Sequence, residues 1–218
     1  MKSDKTFVDD FRISFVFNTS DPFVENDLKA VLETKNYTVE KGSRIINAPP
    51  FRAIKTDIAK KGNVTVLYDN EVSFVGVAGK SIKKVLEEFE LLENVLCEID
   101  QIIFANKSHV ELVLRAHIWT KKDPQKTITN FYKTTNFDSF STIFGEKVRP
   151  FTIRVATQDQ EILGNPNWFD LKIEPMIRNP RYYHVDLVYK SKDAVKVIKL
   201  IKNMDSVIAR TLEILESE

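Results

Sequence analysis

The sequence predicts an α+β protein built from two pseudo-repeats of a β-α-β-β-β-α unit, with a curved antiparallel sheet and its helices on one face. An apolar β-like run occurs near the start of each half, at residues 11–17 and 110–119. Three kinds of dipeptide then recur at matching places, about a hundred residues apart: Asp21-Pro22 and Asp123-Pro124, Pro50-Phe51 and Pro150-Phe151, and Lys80-Ser81 and Lys190-Ser191. The same order of elements used twice predicts a duplicated unit with a pseudo-two-fold axis.

The first unit opens with a strand predicted at residues 12–17, because Ile13, Phe15 and Phe17 recur at every second position. Asp21-Pro22 predicts the start of a helix, since aspartate caps helix amino termini and proline is tolerated in the first turn. Apolar periodicity then predicts three antiparallel strands and a long amphipathic helix, at residues 51–58, 63–68, 72–77 and 81–99.

The second unit repeats this order with longer connections. A strand is predicted at residues 110–119, and a helix starts at Asp123-Pro124. Three further strands are predicted at residues 149–157, 168–175 and 182–189, and the closing helix at residues 193–216. We place the boundary after residue 102, so that the units span residues 1–102 and 103–218. No low-complexity linker separates them, and we therefore expect them to pack as one body.

Composition and charge narrow the classes of function. The chain is 43% hydrophobic and 29% charged, as in packed globular proteins, and no apolar run approaches the roughly 18 residues of a membrane span. A single cysteine, Cys97, and an amino terminus without a signal-peptide pattern predict a cytoplasmic protein without disulfides. The formal net charge is only +1, whereas nucleic-acid-binding domains are usually clearly basic. Charge therefore lends little support to a nucleic-acid partner.

One stretch resembles the strand–strand–strand–helix section of a TATA-box-binding-protein repeat. It contains four segments: Pro50-Phe51-Arg52-Ala53-Ile54, Lys60-Lys61-Gly62, Val64-Thr65-Val66-Leu67-Tyr68 and Val72-Ser73-Phe74-Val75-Gly76-Val77-Ala78-Gly79-Lys80-Ser81. Phe51 and Tyr68 match the family's intercalating aromatic pair, and Gly76 matches the glycine that ends the third strand. The resemblance implies two quasi-symmetric repeats that form a saddle and, in this family, a sheet face that binds DNA. The second unit has no segment that matches Val-Thr-Val-Leu-Tyr or Val-Gly-Val.

Two groups of residues are candidates for binding nucleic acid or a protein partner. Phe51, Tyr68 and Phe74 belong to the stretch that resembles the family. The second group consists of arginines and a tyrosine of the second unit: Arg149, Arg154, Arg178, Arg181 and Tyr183. Arginines interleaved with tyrosines suit phosphate contacts combined with base stacking, or an acidic groove on a protein. We favour the alternative interpretation, a hairpin turn at Asn179-Pro180 with solvated arginines and with tyrosines that face the core alternately.

The sequence contains no recognisable catalytic constellation, so we expect no enzyme activity, no cofactor and no metal. It has no Gly-rich phosphate loop, Gly-x-Ser-x-Gly elbow or evident Cys–His dyad. Of its three histidines, His117 and His184 lie within predicted strands and would approach each other if those strands pair. We favour two hydrogen-bonded strand histidines over a zinc site.

The strands predicted at residues 63–68 and 72–77 are apolar, or nearly so, on both faces. Helices of the same unit cover only one face of an antiparallel sheet, so something else is expected to cover the other. The second unit, a second copy of the chain and a ligand are the three candidates.

Our leading hypothesis is a non-catalytic binding protein that engages nucleic acid or a transcription or repair partner. The first alternative is a helix-grip protein that encloses a small apolar ligand in a pocket lined by aromatic residues: Phe15, Phe17, Phe74, Trp119 and Trp168. The second alternative is a structural or oligomerisation subunit, a homodimer with its apolar faces buried between protomers.

Overall fold

The fold of this chain is mixed α+β. The computed structural model describes residues 6–19, 22–40, 46–48, 51–53, 56–69, 73–132, 141–143, 146–157 and 166–217. Within these ranges, nine strands form one large antiparallel sheet that does not close on itself. The predicted α+β class and antiparallel sheet are confirmed, whereas the relation of the two halves as repeats stays a prediction.

Strands and helices follow one another in blocks along the chain. The strands are β1 Thr6–Phe17, β2 Thr38–Val39, β3 Ile46–Ala48, β4 Phe51–Ala53, β5 Thr56–Lys61, β6 Val64–Asp69, β7 Phe74–Gly79, β8 Lys107–Trp119, β9 Ile153–Ala156, β10 Trp168–Pro175 and β11 Tyr182–Ser191. The helices are α1 Glu25–Thr34, α2 Ile82–Ile99, α3 Gln101–Ala105, α4 Pro124–Phe131, α5 (described at residues 141–143), α6 Ala194–Lys202 and α7 Met204–Glu216. No helix in the described ranges is long and apolar enough to cross a membrane.

The two longest strands, β1 and β8, lie side by side at the centre of the nine-stranded sheet. The strand order is β2-β5-β6-β7-β1-β8-β11-β10-β9, and β3 and β4 form a separate two-stranded hairpin. In the central pair, Phe15 lies opposite Val110 and Ile13 opposite Leu112. This pairing joins segments about a hundred residues apart, so both halves of the chain share one sheet.

Side chains of β1 alternate between the two faces of the sheet, as the sequence predicts. Phe11, Ile13 and Phe15 are fully buried on the face that the helices cover, which we call the core face. Phe15 stacks on Phe89 of α2 with 4.3 Å between ring centroids, and Phe104 of α3 meets it edge-on at 5.0 Å. Burial of these large apolar side chains is the main stabilising contribution in this half of the core.

Of the two Asp-Pro sites, Asp123-Pro124 is the one that starts a helix within the described residues. Asp123 caps α4, because its Oδ1 accepts hydrogen bonds from the backbone N–H groups of Gln125 and Lys126 at 2.9 and 3.2 Å. Asp21 lies outside the described residues, and α1 begins further on, at Glu25, without a side-chain cap. Acidic residues in the first turn of α1 stabilise its positive end instead.

Two predicted elements are divided in the structure, and one is shorter than predicted. The strand expected at residues 51–58 is split into β4 and β5, and the strand expected at residues 149–157 is reduced to β9. The final helix is broken at Asn203, whose side-chain Nδ2 donates a hydrogen bond to the Lys199 carbonyl at 2.9 Å. Asparagine competes for backbone hydrogen bonds in this way, and it is therefore unfavourable inside helices.

Candidate binding face of the sheet

The face of the sheet opposite the core face carries mostly polar and charged side chains at its centre. We call it the open face. Its members on the three central strands are Arg12, Ser14, Glu111, Val113, Arg115, Asp186, Val188 and Lys190. Each of them lies opposite a residue of the neighbouring strand, so they form rows across the sheet in which side chains of opposite charge meet.

The central arginines of the open face are paired with carboxylates. Arg12 forms an ion pair with Glu111, and Lys190 Nζ approaches the other oxygen of Glu111 at 3.1 Å. Arg115 Nε lies 3.4 Å from Asp186 Oδ1. Arg115 is exposed, whereas the other members of these ion pairs are half-buried. These ion pairs cancel the positive charge that a phosphate backbone would need for binding.

A groove of about 570 Å³ on the open face of the first half is lined by three aspartates. Asp9 and Asp10 come from β1, Asp57 comes from β5, and Lys80 is the one basic residue among the described residues that line it. A register shift between Val8 and Asp10 in the pairing of β1 with β8 marks a β-bulge at Asp9. Bulges re-aim side chains at the edges of functional surfaces. We call this feature the acidic groove.

Two histidines and two aspartates form a line across three neighbouring strands of the open face. His117 of β8 lies opposite His184 of β11, and His184 Nδ1 is 3.1 Å from His117 Nε2. Asp9 Oδ2 lies 3.0 Å from His117 Nδ1, and Asp186 Oδ2 lies 3.3 Å from His184 Nε2. We call these four residues the histidine cluster. The approach of the two histidines is confirmed.

Sequence reasoning missed both aspartates of the histidine cluster. Asp186 follows His184 by two residues, and this spacing on a predicted strand places both side chains on one face. That signal could have identified Asp186. Asp9 precedes the predicted start of the first strand and enters the cluster through a bulge, for which the sequence carries no signal.

An exposed phenylalanine and a half-buried tyrosine adjoin the histidine cluster at the end of the open face. Phe7 is 54% exposed, and its ring centroid lies 6.0 Å from that of Tyr182. Phe7 is opposite His117 in the sheet, and Tyr182 is opposite Trp119. The sequence analysis overlooked Phe7 because β1 begins six residues earlier than the predicted strand.

Three of the aromatic residues predicted to bind a partner are buried. Tyr68 is 4% exposed on the core face, where its hydroxyl donates a hydrogen bond to the Phe23 carbonyl at 2.6 Å. Tyr183 is fully buried on the same face, and burial raises its pKa to about 12. Phe74 is on the open face but only 8% exposed, with the Arg12 guanidinium carbon 5.0 Å from its ring centroid. Their rings are not displayed for contact with a partner.

Phe51, the first member of the predicted intercalating pair, begins β4. Its backbone pairs with Ala48 in the two-stranded hairpin, outside the nine-stranded sheet. Its side chain lies outside the described part of the structure. Phe51 and Tyr68 therefore belong to different sheets, whereas the resemblance places the aromatic pair on successive strands of one sheet.

The predicted arginines near β9 are exposed. Arg149 precedes this strand, and Arg154 lies within it at the edge of the sheet. Arg154 holds Asp170 of β10 with two N–H groups, at 2.9 Å from Nε and 2.6 Å from Nη2. These hydrogen bonds to Asp170 raise the pKa of Arg154. The charge of Arg154 is thus matched by a neighbouring carboxylate.

The other two predicted arginines lie in the hairpin that joins β10 to β11. Arg178 and Arg181 are both exposed, and Arg181 Nη1 donates a hydrogen bond to the Lys121 carbonyl at 2.7 Å. The two tyrosines that follow face opposite sides, with Tyr182 on the open face and Tyr183 in the core. This arrangement is that of a hairpin turn with solvated arginines and with tyrosines that face the core alternately, which is the interpretation favoured from the sequence.

An apolar cavity of about 230 Å³ lies between the core face of the second half and helices α6 and α7. Its lining is almost entirely aliphatic and aromatic: Leu114, Ile118, Phe169, Leu171, Ile173, Val185, Leu187, Tyr189, Leu200, Met204, Val207, Ile208, Thr211 and Leu212. The five aromatic residues predicted for a helix-grip pocket are not among these. A dry cavity of this kind suits a small ligand without charge.

Together these features define a class: an α+β protein with an open nine-stranded antiparallel sheet, a charge-compensated open face and an apolar cavity beneath its last two helices. No protein-family model matches the chain, and a search of curated proteins finds no significant match.

Proposed function

We propose that this chain is a non-catalytic binding protein with a TATA-box-binding-protein-like fold, and that its open face binds a basic segment of a protein partner. The strand order supports the fold part of the proposal. β1 and β8 meet at the centre, and the remaining strands of each half of the chain lie on their own side of that pair. Two quasi-symmetric repeats that share one sheet would have this order.

The acidic groove is the observation that carries the choice of partner. Three carboxylates and one lysine line it, so a segment rich in lysine or arginine meets complementary charge there. A nucleic acid would bring phosphates against Asp9, Asp10 and Asp57. The central arginines available to offset that repulsion are already paired with Glu111 and Asp186.

The dimensions of the open face suit a protein interface. Seven of the nine strands have at least six residues. At about 4.8 Å apart they span about 29 Å, and six residues of a strand span about 20 Å. The resulting area of roughly 580 Å² is at the lower end of what one partner buries in a protein–protein complex, as in weak or transient ones. The exposed Phe7 and the half-buried Tyr182 supply an aromatic contact of the kind that such interfaces use as an energetic centre.

The test is a comparison of labelled probes by fluorescence anisotropy across a salt series. The probes are a fluorescein-labelled Lys/Arg-rich peptide, an AT-rich DNA duplex, a mixed-sequence duplex and a single strand. We expect the peptide to bind, with an affinity that falls as salt rises, and we expect none of the DNA probes to bind. The double variant Asp10→Asn, Asp57→Asn is expected to bind the peptide about ten-fold more weakly, since two attractive charges are lost.

The matched control is Glu87→Gln with Glu213→Gln, which removes the same charge from exposed positions on α2 and α7. This control is expected to retain the wild-type affinity for the peptide. Tight, salt-dependent binding of DNA would refute the choice of partner. Equal peptide binding by the groove variant and by the control would refute the site.

The apolar cavity favours a second candidate function, the binding of a small uncharged apolar ligand. Its volume of about 230 Å³ exceeds that of an apolar cavity known to hold benzene, about 150 Å³. The cavity lies on the other side of the sheet from the acidic groove. Both functions could therefore be carried by one chain without competing for the same residues.

Naphthalene is a suitable probe of this cavity. We expect it to shift the NMR methyl signals of Leu114 and Val207, which line the cavity. Val207→Phe fills the space and is expected to weaken naphthalene binding at least about ten-fold. Val195→Phe makes the same change at a 71% exposed position on α6 and should leave the binding unchanged. Leu114 methyl shifts of equal size in both variants would show that naphthalene does not bind in the cavity.

A further inference from the structure

We propose that Asp9, His117 and His184 form a binding site for a divalent late first-row transition metal on the open face. The site lies where β1, β8 and β11 are neighbours, and each strand contributes one ligand. One ligand atom from each residue lies within 4.8 Å of the others. The proposal concerns metal binding. Asp9 is shared with the acidic groove, but the metal titration below needs no protein partner.

The separation of the two imidazole nitrogens is close to that of a metal-bound pair. His184 Nδ1 and His117 Nε2 are 3.1 Å apart. Two nitrogens bound to one tetrahedral zinc ion, each about 2.0–2.1 Å from it, lie about 3.3 Å from each other. The separation is therefore within about 0.2 Å of that in a metal-bound pair, and both rings must also turn so that their lone pairs point at one metal position. Cross-strand pairing places them there, because His117 and His184 are directly opposite in the sheet.

The outer nitrogens of both rings already have carboxylate partners. Asp9 Oδ2 lies 3.0 Å from His117 Nδ1, and Asp186 Oδ2 lies 3.3 Å from His184 Nε2. Each carboxylate is best served when the facing nitrogen carries the proton. Metal-ligating histidines are commonly oriented by a carboxylate in this way, which makes the other nitrogen a better ligand. Asp186 would play this part for His184, whereas Asp9 leaves His117 Nδ1 when it turns to the metal. Arg115 Nε lies 3.4 Å from Asp186 Oδ1, an ion pair in which that oxygen accepts no hydrogen bond among the described residues.

The 3.1 Å between His184 Nδ1 and His117 Nε2 is a hydrogen-bond distance, in which one ring nitrogen donates and the other accepts. A metal ion bound by both rings would take the place of that hydrogen bond. Both inner nitrogens must then be free of protons, so the proton between them moves to another ring nitrogen or to solvent.

The donor set decides which metals fit. Two imidazole nitrogens and one carboxylate oxygen suit zinc, cobalt, nickel and copper, whereas magnesium and calcium prefer sites built from oxygen atoms. Asp9 has a 43% exposed side chain, so it can turn from the His117 ring to the metal, and water completes the coordination. The metal would join three neighbouring strands of the sheet and stabilise the folded chain.

The experiment is a titration of the full chain with Zn²⁺ against a fluorescent chelator, followed by Co²⁺ absorption as a report on coordination geometry. We expect one equivalent of Zn²⁺ to bind and to raise the midpoint of thermal unfolding. His117→Gln and His184→Gln are each expected to weaken binding by more than about a hundred-fold, and Asp9→Asn and Asp186→Asn by about ten-fold. Circular dichroism melts confirm that each variant is folded.

His109→Gln is the matched control. His109 is on β8, eight residues and about 26 Å from His117, where burial and the charge of Lys190 lower its pKa. This variant and the double variant Asp10→Asn, Asp57→Asn should both bind Zn²⁺ like the wild type. The proposal is overturned if the folded wild type binds no Zn²⁺ at about ten-fold molar excess, or if His184→Gln binds as tightly as His109→Gln. An unchanged affinity in Asp9→Asn would overturn the three-residue site.

Discussion

Replacement of Phe15 by alanine is expected to lower the free energy of unfolding by about 3–5 kcal/mol. Phe15 is fully buried at the centre of the sheet, stacked on Phe89 and edge-on to Phe104. Its removal takes away the transfer free energy of a large aromatic side chain and leaves a cavity among rings from β1, α2 and α3. A loss of this size is a large part of the stability of an ordinary domain. Urea unfolding followed by circular dichroism measures it.

Phe7→Ala is the matched control for this prediction. It makes the same substitution on the same strand, at a side chain that is 54% exposed on the open face. We expect it to change the free energy of unfolding by less than about 1 kcal/mol, because little buried area is lost. If both variants lost the same stability, Phe15 would not lie in the core packing described above.

Gly76→Ala is expected to destabilise the fold by about 1–3 kcal/mol or more. A Cβ atom at this position would lie 2.4 Å from Ser14 Oγ and 2.6 Å from the Ile13 carbonyl oxygen. The carbonyl belongs to the central strand β1, which is paired on both sides and has no room to retreat. Differential scanning calorimetry of the variant and the wild type gives the change.

The double variant Ser14→Ala, Gly76→Ala separates the two clashes. It removes the hydroxyl at 2.4 Å but leaves the contact with the Ile13 carbonyl, so we expect it to recover only part of the lost stability. Ser14→Ala alone should be close to neutral, since Ser14 Oγ is buried without a hydrogen-bond partner among the described residues. A Gly76→Ala protein as stable as the wild type would show that β1 and β7 do not approach as described.

Much of the secondary structure follows from local pattern. Alternation of Ile13, Phe15 and Phe17 predicts which face of β1 is buried, and Asp123 followed by proline predicts the start of α4. Both predictions are confirmed because the causes act within a few residues: the period of a strand and the capping of free N–H groups. The break of the last helix at Asn203 was not predicted, since asparagine disfavours a helix interior only weakly.

The candidate site was predictable only in part. The sequence indicated that His117 and His184 would meet if their strands paired, and the structure brings them within 3.1 Å. Asp9 could not be predicted, because a bulge in β1 carries it to the cluster. The aromatic residues chosen from the family resemblance were treated as a binding surface. Tyr68 instead points into the core. Its strand is apolar, or nearly so, on both faces, so the sequence pattern did not show which face Tyr68 lies on.

Composition and periodicity were therefore enough to predict an α+β chain with an antiparallel sheet. The spacing of apolar residues along each strand and helix shows which of its faces is buried. The identity of neighbouring strands required the folded chain. The central pairing of β1 with β8 joins residues about a hundred positions apart, and the free energy of such a contact comes from packing between distant segments. The acidic groove and the histidine cluster exist only where those strands meet, so no local pattern contains them.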